Sequence, residues 1–232
     1  MTRPPLQASI DGGWQQVAAI DAAYTRGEID EDAWHARMAA LTVSMYLAGA
    51  DPRAQSGYTG SEAEWEHARS AVAEAIPRAG TFLDVGCANG HLMESVVAWC
   101  ARRGVNVEPY GLDISPELAA LARSRLPQWA GRIFEGNAAE WVPAAPFDVV
   151  RTGVEYVPPD RRRALLRHLL NRAVAPGGRL LIGPFTEERD ETRPAPSLAE
   201  QVRGWGLAVA GTIERSHRDD RVIRRLLWFE KA

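Results

Sequence analysis

Between Trp14 and Leu47 apolar positions recur every three or four residues, with a polar break at Thr25–Ile29, so two helices in a hairpin are predicted. In the second, Trp34, Met38, Leu41 and Met45 share a face, and Asp30 or Asp32 stands where a helix N-cap belongs. Residues 1–9 read as a proline-containing tail, and AGADPRAQSGYTG (48–60) as a loop rich in Gly, Pro and Ser. Ser61 and Glu64 form an S-x-x-E capping box, opening a helix that turns Trp65, Ala68, Val72 and Ile76 inward and stops at Pro77. From Thr81 short apolar runs alternate with helical stretches. TFLDVG, VEPYGLDI, RIFEGN, FDVVRTG and GGRLLIGPF read as strands. Helices run through HLMESVVAWCARRG, from Ser115-Pro116 with Leu118, Leu121, Ala122 and Leu126 inward, from Asp160, and through SLAEQVRGWG. LAVAGTIERSH and RVIRRLLWFEK close the chain as an antiparallel hairpin turning at HRDD.

Strand–helix alternation implies an α/β fold, a mostly parallel sheet with helices on both faces and a ligand cleft at the carboxyl ends of its strands. A chain of 232 residues suits one such domain with a modest extension, and 46% hydrophobic residues suffice for a core. The formal net charge of -3 argues against a dedicated nucleic-acid binder, which carries a basic field. No apolar run is long enough to span a membrane, and the first residues lack the apolar stretch of a secretory signal. Cys87 and Cys100 fit neither a disulfide framework nor a CxxC metal pair. A cytoplasmic setting and no bound metal are therefore expected.

Three segments carry candidate chemistry. In FLDVGCANGHL (82–92) a strand enters a glycine-bearing turn and a helix start, an arrangement that brings backbone N–H groups to a ligand; Gly86 and Gly90 mark the chain reversal and close approach. Asp113, at the end of the second strand, lies 23 residues after Gly90. Its carboxylate either accepts from both hydroxyls of a ribose or merely precedes the helix that Ser115 caps. Asn137 and Ala138, after the third strand, suit the edge and face of an adenine, although Asn after Gly is equally a turn residue.

Together these motifs resemble the class I S-adenosylmethionine-dependent methyltransferases. LDVGCANG is similar to the family's glycine-rich first motif, GLDIS to its acidic second motif and EGNAAEW to its adenine motif; FDVVRTGVEYVP and VAPGGRLLI resemble its fourth-strand motif and the turn into strand five. The resemblance covers roughly residues 62–232. It implies a Rossmann-like seven-stranded sheet whose closing hairpin inserts an antiparallel strand between neighbours. It also implies S-adenosylmethionine as cofactor and S-adenosylhomocysteine as product, with Asp84 and Gly86 at the methionine part, Asp113 at the ribose, and Asn137 and Ala138 at the adenine. Cys87, Gly90 and Ile114 complete the implied cofactor-contacting set. Residues 1–60 would form a helical cap or lid, and 61–232 the methyltransferase domain. The chain departs from the pattern at Ala88, where the family usually has Gly. It departs again at RTGV, which is not the Asn-Pro-Pro-aromatic signature of enzymes acting on amide or exocyclic amino nitrogens.

Methyl transfer from a sulfonium depends mainly on positioning, and needs a base only if the acceptor must first lose a proton. Two residues beside the fourth strand are candidates for positioning an acceptor. Tyr156 either orients it, or shields the sulfonium, or packs beneath its loop. Arg151 either offers its planar fork to a carboxylate or phosphate in the cleft, or pairs with Glu155. His91, opening the helix after the glycine turn, faces cofactor or solvent. Trp14, Tyr24, Trp34, Met45, Tyr46 and Tyr58 give the N-terminal segment an aromatic and methionine surface suited to a small organic acceptor, unless they only pack on the domain. The reading is methyl transfer to a small molecule. The alternatives are a cofactor-binding protein or partner subunit without catalysis, and an RNA or protein methyltransferase. A nicotinamide oxidoreductase would want GxGxxG and a Tyr-x-x-x-Lys pair, whereas the turn reads GCANG and Lys231 is the sole lysine.

Overall fold

The computed structural model describes residues 5–188, 197–217 and 222–232; the expected turn at HRDD falls mostly outside these, as does the side chain of Trp14. Two helices open the chain, α1 (Pro5–Thr25) and α2 (Glu31–Leu47). Residues 5–9, expected as tail, belong to α1. The α2 cap is Asp30, whose carboxylate accepts from the Ala33 N–H at 2.9 Å, while Asp32 falls inside the first turn. Trp34 is buried and donates its indole N–H to Asp21 Oδ1 at 2.9 Å, tying α2 to α1. One 3-10 turn, Ala54–Ser56, interrupts the loop that follows.

The Ser61–Glu64 capping box opens α3 (Glu62–Arg69) with both of its reciprocal bonds. The helix expected to continue to Pro77 breaks at Ser70, and a single turn, α4 (Ala71–Glu74), carries on. The break does not cost burial: Trp65, Ala68, Val72 and Ile76 are each at most 2% exposed.

The rest alternates as the hydrophobic pattern requires: β1 (Gly80–Val85), α5 (His91–Arg102), β2 (Val107–Asp113), α6 (Pro116–Arg125), β3 (Ile133–Glu135), β4 (Phe147–Thr152), α7 (Arg162–Arg172), β5 (Val174–Glu188), α8 (Leu198–Gly204), β6 (Gly211–Ser216) and β7 (Val222–Glu230). They build one seven-stranded sheet in the order β3-β2-β1-β4-β5-β7-β6. The first five strands run parallel, and β7 lies antiparallel between β5 and β6. This is the Rossmann-like sheet expected from the sequence. Leu83, Val85, Val150, Leu180 and Ile182 pack with Leu165, Leu166 and Leu169 of α7 on one face, and Phe82, Val149 and Leu181 pack with Trp65, Leu92 and Val96 on the other. Burial on both faces explains why the central strands read as continuous apolar runs rather than alternating ones. Strand order reverses between β1 and β4, so the cleft opens at their carboxyl ends.

Candidate active site

A cavity of about 870 Å³ lies over the ends of β1, β2 and β4, roofed by α2 and the 48–60 loop. Its floor is the turn after β1. Gly86 and Cys87 donate their backbone N–H groups to the Leu112 carbonyl at 2.7 and 3.1 Å, which lashes the turn to β2. Gly86 has φ +72, and a Cβ there would come within 2.5 Å of the Tyr156 ring, so only glycine permits both this conformation and this approach. Ala88 also adopts a left-handed conformation, at φ 48, where an L side chain is strained.

The turn presents its amides to Asp113. Ala88 N–H donates to Asp113 Oδ2 at 2.8 Å, and Ser115 N–H donates to Oδ1 at 2.9 Å. Burial raises the Asp113 pKa, and these backbone donors pull the other way. The result is a buried carboxylate held rigidly at the cleft, each oxygen keeping lone-pair capacity for another donor. Ile114 beside it is 41% exposed and lines the same cavity, an apolar side chain left uncovered. Asn137 and Ala138 line it too. Asn137 Oδ1 accepts from Ala139 N–H at 3.0 Å, the turn role its sequence context allowed. The Cys87 side chain instead belongs to a small core cluster with Met93 and Ala119, so only its backbone is free to face the cleft. Gly90 stands behind the turn, against Leu126, and does not line the cavity.

The methionine end of the expected site holds a group of three side chains. Asp84 and Arg151 are register partners on β1 and β4, and Arg151 Nη1 donates to Asp84 Oδ1 at 3.2 Å. Arg151 therefore pairs with Asp84 and not with Glu155, which is exposed. The register explains the choice: a parallel neighbour places the Asp84 carboxylate beside the guanidinium inside the sheet, where an uncompensated charge is costly. Arg151 Nη1 also lies 3.1 Å from Tyr156 Oη and 3.4 Å from the Val85 carbonyl, and Nε donates to the Gly183 carbonyl at 2.7 Å. Asp84 Oδ2 is buried without a hydrogen-bond partner among the described residues. Burial raises Asp84 to about 6, with Arg151 opposing the shift. Tyr156 reaches the cleft, stacked over Gly86, and burial pushes its phenol well above the ordinary tyrosine value.

Of the N-terminal aromatic and methionine residues, Trp34, Met45 and Tyr46 line the cavity, whereas Tyr24 and Tyr58 do not. Tyr24 Oη reaches Asp160 at 3.4 Å outside it, and Tyr58 donates to the Glu64 carbonyl at 2.9 Å. His91 packs its ring on Trp65, 4.8 Å between centroids, and points away from the cavity. Three residues at or just behind the cavity wall had no role assigned from the sequence. Asn89 donates from Nδ2 to the Pro52 carbonyl at 2.7 Å, joining the glycine turn to the roof just behind the cavity wall. His35 of α2 is buried and faces the cavity. Arg69, at the end of α3, faces it as well. Two of them, Asn89 and Arg69, act through contacts between segments far apart in the chain, which spacing does not reveal; His35 sits one position off the apolar face that identified α2.

Residues 82–178 match the family model described as a methyltransferase domain. No curated protein matches the sequence closely enough to count as a relative. Among solved structures the chain is similar to a 1,6-didemethyltoxoflavin N1-methyltransferase of Burkholderia thailandensis, solved with 1,6-didemethyltoxoflavin and S-adenosylhomocysteine bound. That likeness has 19% identity, 88% coverage of this chain, 91% of the other and a TM-score of 0.62. It is also similar to the [4+2]-cyclase SpnF, at 16% identity, covering 82% and 92% with a TM-score of 0.59. The N-methyltransferase NodS of Bradyrhizobium japonicum WM9 gives 19% identity, 73% and 96% coverage and a TM-score of 0.53. At such identities these neighbours speak for the fold, and one of the three is named for a cyclisation, so the fold by itself does not fix the reaction.

Proposed function

We propose that this chain, a class I methyltransferase by fold and by the domain at residues 82–178, transfers a methyl group from S-adenosylmethionine to a small organic acceptor. The observation that carries the reading is Asp113: a buried carboxylate fixed by two backbone N–H groups at the end of β2, where a ribose diol would find its acceptor. The remaining cleft fits the cofactor. Asp84 Oδ2 is a buried acceptor with no donor among the described residues, suited to the methionine ammonium. Arg151 already spends Nη1 and Nε on protein groups and leaves Nη2 uncommitted, a cation beside that ammonium for the adjoining carboxylate. Ile114 and Ala138 offer apolar surface, and Asn137 a polar edge, to the adenine.

When bound, S-adenosylmethionine supplies a methyl group already activated on a sulfonium, which an in-line nucleophile displaces. The chain contributes position. Asp113 would hold the ribose and Asp84 the methionine end of the cofactor, and Tyr156 over Gly86 closes the floor against water. The Tyr156 phenol stays protonated, so it orients an acceptor by hydrogen bonding rather than removing its proton. Residues 1–60 serve as a lid. Among the described residues, two exposed contacts, Glu31 with Arg161 at 2.8 Å and Tyr24 with Asp160, link the first two helices to the turn before α7. The toxoflavin-type neighbour, whose name gives a small heterocyclic acceptor, covers a larger share of this chain than residues 61–232 make up alone. Supplying methyl-labelled S-adenosylmethionine with a metabolite extract tests the reading. The expected result is one dominant labelled small molecule formed with S-adenosylhomocysteine; label found only in RNA or protein, or none transferred, contradicts it.

A further inference from the structure

Two guanidinium groups, those of Arg151 and Arg69, line the same cavity, and among the described residues only Arg151 is paired with a carboxylate. They hang from consecutive carbonyls where the register of β5 shifts: Arg151 Nε donates to Gly183 O at 2.7 Å and Arg69 Nη1 to Pro184 O at 2.8 Å. Arg151 is paired with Asp84. Arg69 forms no ion pair with a described residue, and Pro184 O is its one hydrogen-bond acceptor among them. Its guanidinium carbon sits 5.8 Å from the Tyr58 ring centre and 5.6 Å from that of Trp65, so aromatic surface backs it. Burial, then the neighbouring Arg151 charge, depresses its pKa. Glu155 is the carboxylate at the rim, but it is exposed and forms no ion pair with Arg69. A partly desolvated cation beside a like charge is costly until an anion joins it.

We infer that Arg69 is the anion receptor for the methyl acceptor, and that the acceptor is a small aromatic carboxylate. The inference rests on the methyltransferase reading. The cofactor brings one carboxylate, adjacent to its ammonium; Asp84 takes the ammonium and Arg151, bonded to the same Asp84, takes the carboxylate. Arg69 is left over. Its uncommitted Nε and Nη2 form the side-on edge that meets a carboxylate with two parallel bonds. Tyr46, whose ring reaches the same part of the cavity, supplies aromatic surface for the acceptor body.

The test is calorimetry on the full chain, first with S-adenosylhomocysteine and then, on the saturated protein, with 4-hydroxybenzoate and its neutral isostere 4-hydroxybenzamide. Native protein should prefer the carboxylate by about tenfold or more. In Arg69→Gln the preference should vanish, and in Arg69→Lys, which keeps the charge and loses the fork, it should shrink. Affinity for S-adenosylhomocysteine should stay within about twofold in both variants. A carboxylate preference that is absent, including failure of both probes to bind, or one that survives Arg69→Gln, overturns the inference. So does a loss of S-adenosylhomocysteine affinity in variants that melt normally, which would assign Arg69 to the cofactor. If Arg69→Gln does not fold, Arg69→Lys decides. Native protein that fails to bind S-adenosylhomocysteine defeats the methyltransferase reading, a separate and recognisable result that takes this inference with it.

Discussion

Arg151 Nη1 sits 3.2 Å from one oxygen of Asp84, and the other Asp84 oxygen has no hydrogen-bond partner among the described residues. A half-satisfied buried carboxylate holds its proton longer than usual, hence its pKa near 6. Because the folded value lies above the unfolded one, this group's contribution to stability is complete below about pH 4. It is lost as pH rises towards about 6, a decline on the order of 3 kcal/mol that is flat thereafter. Asp84→Asn should remove that part of the pH profile in denaturant unfolding of the free protein. Cofactor binding has the opposite sign, since the ammonium prefers the ionised form. S-adenosylhomocysteine affinity of the native chain should weaken about tenfold from pH 7 to pH 5 on account of Asp84. An affinity that does not change over this range contradicts the assignment of Asp84.

Ala88 is strained at φ 48, and glycine is not. Ala88→Gly relieves about 1–2 kcal/mol of left-handed strain and gives back about 0.4–1 kcal/mol to the freer unfolded chain. Net stabilisation of about 0.5–1 kcal/mol should appear as a higher denaturant midpoint with an unchanged slope. Its N–H to Asp113 is a backbone bond that survives the change, so S-adenosylhomocysteine affinity should hold. A destabilised variant would mean that the alanine methyl packs better than its conformation suggests.

If the first two helices are a lid, the Glu31–Arg161 contact should govern release more than folding. Arg161→Ala should leave the melting temperature unchanged, because exposed pairs add little stability. Dissociation of S-adenosylhomocysteine in stopped flow should accelerate by roughly two- to fivefold. Unchanged release would count against the lid.

The parts of the site that lie close together in sequence were legible there: the glycine turn, Asp113 with its Ser115 cap, and the Asn137 turn each occupy a few consecutive residues. The sheet was legible because its central strands are buried on both faces and read as apolar runs. What escaped depends on contacts between distant segments. The Asp84–Arg151 pair joins residues 67 apart, and the parallel register of β1 and β4 brings them together. Arg69 and Asn89 matter only once α3 and the 48–60 loop have folded over the cleft. Helix ends escaped as well: apolar spacing continued across Ser70, where the backbone breaks, and was absent from residues 5–9, which are helical.

Everything proposed for the cleft requires Asp113 to hold the ribose of S-adenosylmethionine. Calorimetric titration of native protein and Asp113→Ala with S-adenosylhomocysteine measures that contact. Losing a charged hydrogen-bond partner costs about 1.5–3 kcal/mol, so affinity should fall about 10- to 100-fold in a variant that still melts cooperatively, and NADH should not compete with the native chain. Equal affinity of the two proteins, or displacement of S-adenosylhomocysteine by NADH, would contradict it.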